Sequence, residues 1–161
     1  MKVFISYSTK DLQDVQTLQA SLADSPIELL VAENSIVPSE SLPEKIKTQI
    51  QTCDLFVVVW SSHAKSSDWV SQEVGQAVAL DKTILPIILD DCEQLPGFMS
   101  GLKYISAAKN KKQAIQQVQS IIMSKYEQRI KEQNEAQRRK SESETKFLLG
   151  AGALALWLFS K

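Results

Sequence analysis

The sequence predicts an α/β fold in which helices cover both faces of a doubly wound parallel sheet. Residues 3–5, 55–60 and 84–89 are near-continuous apolar runs, rich in β-branched and aromatic side chains, which is the pattern of strands buried on both faces. Amphipathic helical patterns lie between them. Strands alternating with such helices form right-handed βαβ units.

Taken in order, the first strand (3–5) leads to a helix over about 12–23, and Ser8-Thr9-Lys10-Asp11 has the spacing of a capping box at its start. Residues 27–31 read as the second strand. A helix over about 42–52 follows, where Ser41-Leu42-Pro43-Glu44 repeats the cap signature with proline in the first turn. Residues 55–60 form the third strand and 69–80 the next helix. The fourth strand, 84–89, contains Pro86, whose missing N–H predicts a bulge or an edge-like pairing. Residues 103–105 give a weak fifth strand. Five strands in this sequence predict a flavodoxin-like sheet of order 2-1-3-4-5, followed by one long C-terminal helix from about Asn110.

In that helix Ile115, Val118, Ile121 and Ile122 can pack on the sheet, but the apolar stripe fades after Tyr126. The expected organisation is a folded domain over 1–123, a charged helical linker over 124–146 and a hydrophobic tail over 147–160. The uncharged run 147–159 would span about 20 Å as a helix, against a hydrocarbon core of about 30 Å. Trp157 and Phe159 near one end, and Arg138-Arg139-Lys140 ahead of it, nevertheless predict a C-terminal membrane anchor. The alternative is an apolar helix packed against another subunit.

Composition bounds the function. The net charge is −1 and no basic stripe occurs in the first 120 residues, so nucleic acid is not an expected partner. Cys53 and Cys92 have neither disulfide-framework nor zinc spacing, and no metal is expected. The N-terminus opens directly into a strand-like run without a signal-peptide pattern. A cytoplasmic domain with reduced thiols, tethered to a membrane by its tail, is the resulting expectation.

The chemistry concentrates in Ser67-Asp68-Trp69-Val70-Ser71-Gln72-Glu73. On a helix Trp69 and Glu73 share a face, bordering an apolar stripe of Val70, Val74, Ala77 and Val78. That carboxylate would face the crevice at the carboxyl ends of the strands, where open α/β sheets bind ligands. Phe4-Ile5-Ser6-Tyr7-Ser8 with Asp11, the loop from Glu33 to Pro43, the strand end Val59-Trp60-Ser61, and Ser67-x-Trp69-x-x-x-Glu73 occur in that order. Together they resemble a TIR domain of the bacterial or archaeal kind, over about residues 1–123. The resemblance implies a flavodoxin-like fold and, in many members, cleavage of the nicotinamide–ribose bond of NAD+. Glu73 falls on the catalytic glutamate, and the implied products are ADP-ribose or a cyclic isomer, serving antiphage or cell-death signalling. NAD+ is then substrate and no cofactor is needed. Where TIR domains often carry Pro-Gly, this chain has Pro38-Ser39, so the loop conformation is expected to differ.

One carboxylate suffices for such a reaction. Glycosidases need a second carboxyl to protonate a poor leaving group, whereas nicotinamide leaves a cationic pyridinium as a neutral molecule. Glu73 would stabilise the positive charge developing on the ribose. Ser6, Tyr7 and Ser8 after the first strand, Ser61 after the third, and Trp69 as a stacking wall are the substrate-binding candidates. Ser8 equally fits strand termination and capping. His63 reads as a surface residue, and Asp90 and Asp91 as solvated carboxylates. Self-association through TIR domains, and through the tail, is the expected route to activity. A non-catalytic adaptor recruiting other TIR domains is the alternative. A deoxyribosyltransferase-like activity would need a second carboxylate that the sequence does not single out.

Overall fold

The computed structural model describes residues 1–31, 42–91 and 95–159. Strands β1 (Lys2–Ser6), β2 (Glu28–Val31), β3 (Leu55–Trp60), β4 (Ile84–Ile88) and β5 (Ile105–Ser106) pair in parallel in the order β2-β1-β3-β4-β5. This is the predicted topology. The helices are α1 (Leu12–Leu22), α2 (Leu42–Thr52), a short α3 (Ser62–Lys65) that the sequence pattern does not predict, α4 (Asp68–Ala79) and α5 (Lys111–Phe159). The chain divides into two compact units, Met1–Ile121 and Ile122–Lys161.

Alternation along the strands sorts the core of the first unit into two layers. Phe4 on β1, Phe56, Val58 and Trp60 on β3 and Ile88 on β4 form one apolar cluster with Ile46 and Ile50 of α2 and Val70, Val74 and Ala77 of α4. The rings of Phe4 and Phe56, paired in register, stack with centroids 5.3 Å apart. On the opposite face Leu18 of α1, Val59, Ile87 and Ala114 and Val118 of α5 enclose a cavity of about 20 Å³. β3 is buried throughout, as its position at the centre of the sheet requires.

Several boundaries differ from the pattern. Val78, expected in the apolar stripe of α4, is 37% exposed, because α4 turns that side away from the sheet. The fifth strand is Ile105–Ser106 rather than 103–105, and it pairs with β4 only at Ile87 and Ile88. Pro86 causes no bulge: β3 and β4 stay in register through Val58↔Pro86. Leu89 N–H donates to the Trp60 carbonyl and Ala107 N–H to the Ile88 carbonyl, so even-numbered residues of β4 turn their backbone groups toward β5. The missing N–H of Pro86 therefore falls where β5 has not yet begun, which is the edge-like pairing expected. α4 ends in a Schellman motif, with Asp81 N–H on the Val78 carbonyl and Lys82 N–H on the Ala77 carbonyl, and Asp81 takes the left-handed φ of 50°.

The second unit is helix throughout its described residues, and every side chain from Glu127 to Thr145 is exposed, as its charged composition predicts. Among the described residues no helix is long and apolar enough to cross a membrane. The predicted anchor finds no support there, consistent with an apolar run about 10 Å shorter than a hydrocarbon core. The loop at Pro38-Ser39, the cap residue Ser41 and Cys92 lie outside the described residues.

Candidate active site

Helix α4 delivers the glutamate. The Ser67 side chain caps it by accepting the Val70 N–H at 3.3 Å, and Asp68 places a carboxylate in the first turn, favourable to the helix dipole. Val70, Val74 and Ala77 are fully buried on the sheet, and Glu73, at the border of that stripe, is only 2% exposed. Such burial needs a partner. Ser6, the last residue of β1, lies on the same sheet face as Phe4 and donates its hydroxyl to Glu73 Oε2 at 2.5 Å. The sequence suggests a carboxylate at the edge of the core; the structure seats it inside.

Burial pushes the Glu73 carboxyl up from 4.5 to about 7, against the Ser6 hydroxyl and the Trp69 indole, which favour the charged form. Trp69 Nε1 completes no hydrogen bond, so its N–H acts as a nearby dipole. Glu73 Oε1 is likewise buried without a partner, as are Trp60 Nε1 and Gln76 Oε1. Buried polar atoms are rarely left unpaired, and four of them, two donors and two acceptors, sit on elements that meet beside Glu73. Trp60 ends β3 on the α4 face, while Trp69 and Gln76 flank Glu73 one turn to either side. Trp60 and Gln76 are not evident from sequence. A tryptophan closing an apolar strand reads as core, and only the three-dimensional arrangement shows its N–H without an acceptor.

The remaining candidates divide. Tyr7 is buried directly past Ser6. Ser8 is buried as well, but its side chain caps no helix; its carbonyl accepts the Asp11 N–H at 2.7 Å in a single 3-10 turn, Thr9–Asp11. The predicted capping box does not form. Asp11 turns inward instead, 6% exposed, and accepts the Ser61 hydroxyl at 2.6 Å on Oδ2. Burial raises its pKa, with Ser61 and His63 opposing and Asp14 and Asp90 reinforcing the shift. Ser61 also accepts the N–H groups of His63 and Ala64 at 3.1 and 3.0 Å, capping α3. Its hydroxyl is thus engaged within the protein rather than free toward a ligand. Asp90, expected to be solvated, accepts both the N–H and the hydroxyl of Ser62, at 2.9 and 2.8 Å. Asp91 and His63 are exposed. Cys53 is buried, and burial pushes its thiol up, so it is no nucleophile. Among the described residues no group of three His, Cys, Asp or Glu side chains could hold a metal ion.

What the geometry offers is one buried carboxylate with an open oxygen, flanked by neutral donors at the carboxyl end of the two central strands. Solved structures of the same architecture include the TIR domain of the Toll-related receptor TRR-2 of Hydra magnipapillata, 20% identical over 76% of this chain and 97% of that one, with a TM-score of 0.63. The TIR domains of the activated Roq1 resistosome are 16% identical, covering 75% of this chain and 98% of theirs, at a TM-score of 0.61. The CMP N-glycosidase BcmB of Clostridium botulinum is 19% identical, covering 75% and 99%, at a TM-score of 0.59. No curated protein matches the sequence. At such identities the structural likeness establishes the fold, but the TIR domain family matches residues 3–122 directly, and the chain belongs to that family.

Proposed function

We propose that the chain is an NAD+ nucleosidase that cleaves the nicotinamide–ribose bond, with Glu73 as the catalytic residue. The observation that carries this reading is Glu73 itself: a carboxylate 2% exposed, one oxygen fixed by Ser6 and the other unpartnered. A residue serving only the fold would satisfy both oxygens or lie in solvent. As the C1′–N bond breaks, its electron pair neutralises the pyridinium and nicotinamide departs without a proton donor. The carboxylate stabilises the positive charge left on the ribose. Attack by water, with loss of one proton to solvent, gives ADP-ribose; attack by a nucleophile of the same molecule, with the same loss, gives a cyclic isomer. Trp69 supplies the wall against which the base stacks. The related fold of a CMP N-glycosidase supports glycosidic chemistry on this architecture, and TIR domains in a resistosome support a site activated by assembly.

Incubating the full-length protein with NAD+ under crowding and resolving the nucleotides tests the reading. Glu73→Ala is expected to lower the rate at least about a hundredfold, in the range for loss of a preorganised charge. NAD+ left intact by the assembled wild type, or equal activity in the mutant, would leave a non-catalytic TIR adaptor as the function.

A further inference from the structure

We propose that two copies of the chain associate through an antiparallel pairing of α5 over residues 128–145, centred between Ala136 and Gln137. The pairing is independent of the cleavage reaction. Its first support is an uncharged face on a charged helix. Tyr126, Ile130, Asn134, Gln137, Ser141 and Thr145 follow one another at spacings of 4, 4, 3, 4 and 4, an 11-residue period that holds them on one side of a helix with 3.6 residues per turn. Nine of the eighteen residues from 128 to 145 are charged, and none of them falls on this face. Ile130 is 38% exposed, and with Tyr126 and Asn134 it lines a surface groove bordered by Lys131, Glu135 and Arg138. Covering the polar members costs little where they are already satisfied. The Ser141 hydroxyl donates to the Arg138 carbonyl at 2.8 Å and the Thr145 hydroxyl to the Ser141 carbonyl at 2.9 Å.

The second support, which names the occupant, is the order of the charges. Reversing the helix about the point between Ala136 and Gln137 sets Lys131 opposite Glu142, Arg138 opposite Glu135 and Arg129 opposite Glu144. Each is a cation facing an anion, and no charged residue of the stretch meets one of its own sign. At about 100° per residue the two members of each pair flank the uncharged face on the same side, from where antiparallel helices exchange ion pairs. A parallel copy would instead set every charge level with the same charge. Within one chain these groups are not spent on each other: Lys131 and Glu135 stand four residues apart, as do Arg138 and Glu142, yet none of the four forms an ion pair among the described residues. Gln137 lies beside the two-fold point, where its amide, both donor and acceptor, can pair with the same amide of the second copy.

Sedimentation equilibrium of the full chain over a dilution series tests the pairing. The wild type is expected to dimerise, and raising NaCl from about 20 to about 300 mM to weaken the dimer severalfold, because its ion pairs are exposed. Lys131→Glu and Glu142→Lys each turn two contacts of the two-fold pair from attraction to repulsion. Each variant alone is expected to raise the dimer Kd about tenfold or more. An equimolar mixture of the two variants is expected to return to within about threefold of the wild type, since opposite charges again face each other at both places. The recovery also reports orientation. Residues 131 and 142 lie about 16 Å apart along one helix at ~1.5 Å per residue, too far to pair within a chain or between parallel copies. A wild type that stays monomeric, a dimer indifferent to salt or to either reversal, or a mixture no tighter than its components overturns the inference.

Discussion

Between Glu73 and Ser6 a single contact opposes burial in setting the charge of a carboxyl. The Ser6 hydroxyl favours the ionised form of a carboxyl that burial has raised to about 7. Since stabilising the developing cation needs the charged form, kcat/KM for NAD+ should climb with pH through a limb near 7. Ser6→Ala removes the opposing influence, so its limb is expected at higher pH, with activity depressed at neutrality and largely recovered in alkali; a pH–rate profile with an unmoved limb would refute the coupling. The sequence reveals Glu73 through its spacing from Trp69, a local pattern on one helix turn. Ser6 is legible as a strand-end hydroxyl but not as the partner of Glu73, because that bond joins residues 67 positions apart. Trp60 and Gln76 are silent in sequence, since an unpaired atom is defined by what fails to surround it.

The ends of elements carry as much information as their middles. Ser61 looks like a ligand contact when it is seen only as a serine after the central strand, yet its hydroxyl caps α3 and holds Asp11. Ser61→Ala should therefore cost about 1 to 3 kcal/mol in urea unfolding, combining a lost cap with a buried carboxyl left unpaired. The KM for NAD+ should stay within about twofold; a large rise in KM with unchanged stability would restore it to the substrate site. The same network explains why the capping box at Ser8 fails. Asp11 has the right spacing, but an inward partner fifty residues away outcompetes a backbone N–H three residues back. Strand β5 was legible only approximately, because two paired residues give too short a run for periodicity to fix. Pro86 was legible in its consequence, since a residue without a donor suits the stretch of β4 that has no neighbour on that side.

At the scale of the whole fold the candidate site acts against stability. Between pH 4.5 and about 7 the folded chain holds a proton on Glu73 that the unfolded chain has released, so stability falls as pH rises across that window and is level beyond it. Glu73→Gln abolishes the difference and should stabilise the fold by up to about 3 kcal/mol at pH 8, with no gain below pH 4.5. Unfolding curves at both pH values check this, and an equal effect at each would place the cause elsewhere. Topology was legible in full because it follows from the order of apolar runs and helical patterns along the chain. The membrane anchor finds no support among the described residues, since an uncharged run signals burial without saying in what, and its length falls short of a bilayer. The seat of Glu73 beneath the strand ends has one more consequence, which lies in the solvent. Near neutrality the carboxyl is about half protonated, so a pyridinium that settles beside it must displace a fraction of a proton into the buffer. Ligand capture is then linked to proton release, and a falling pH weakens the capture without altering a single contact.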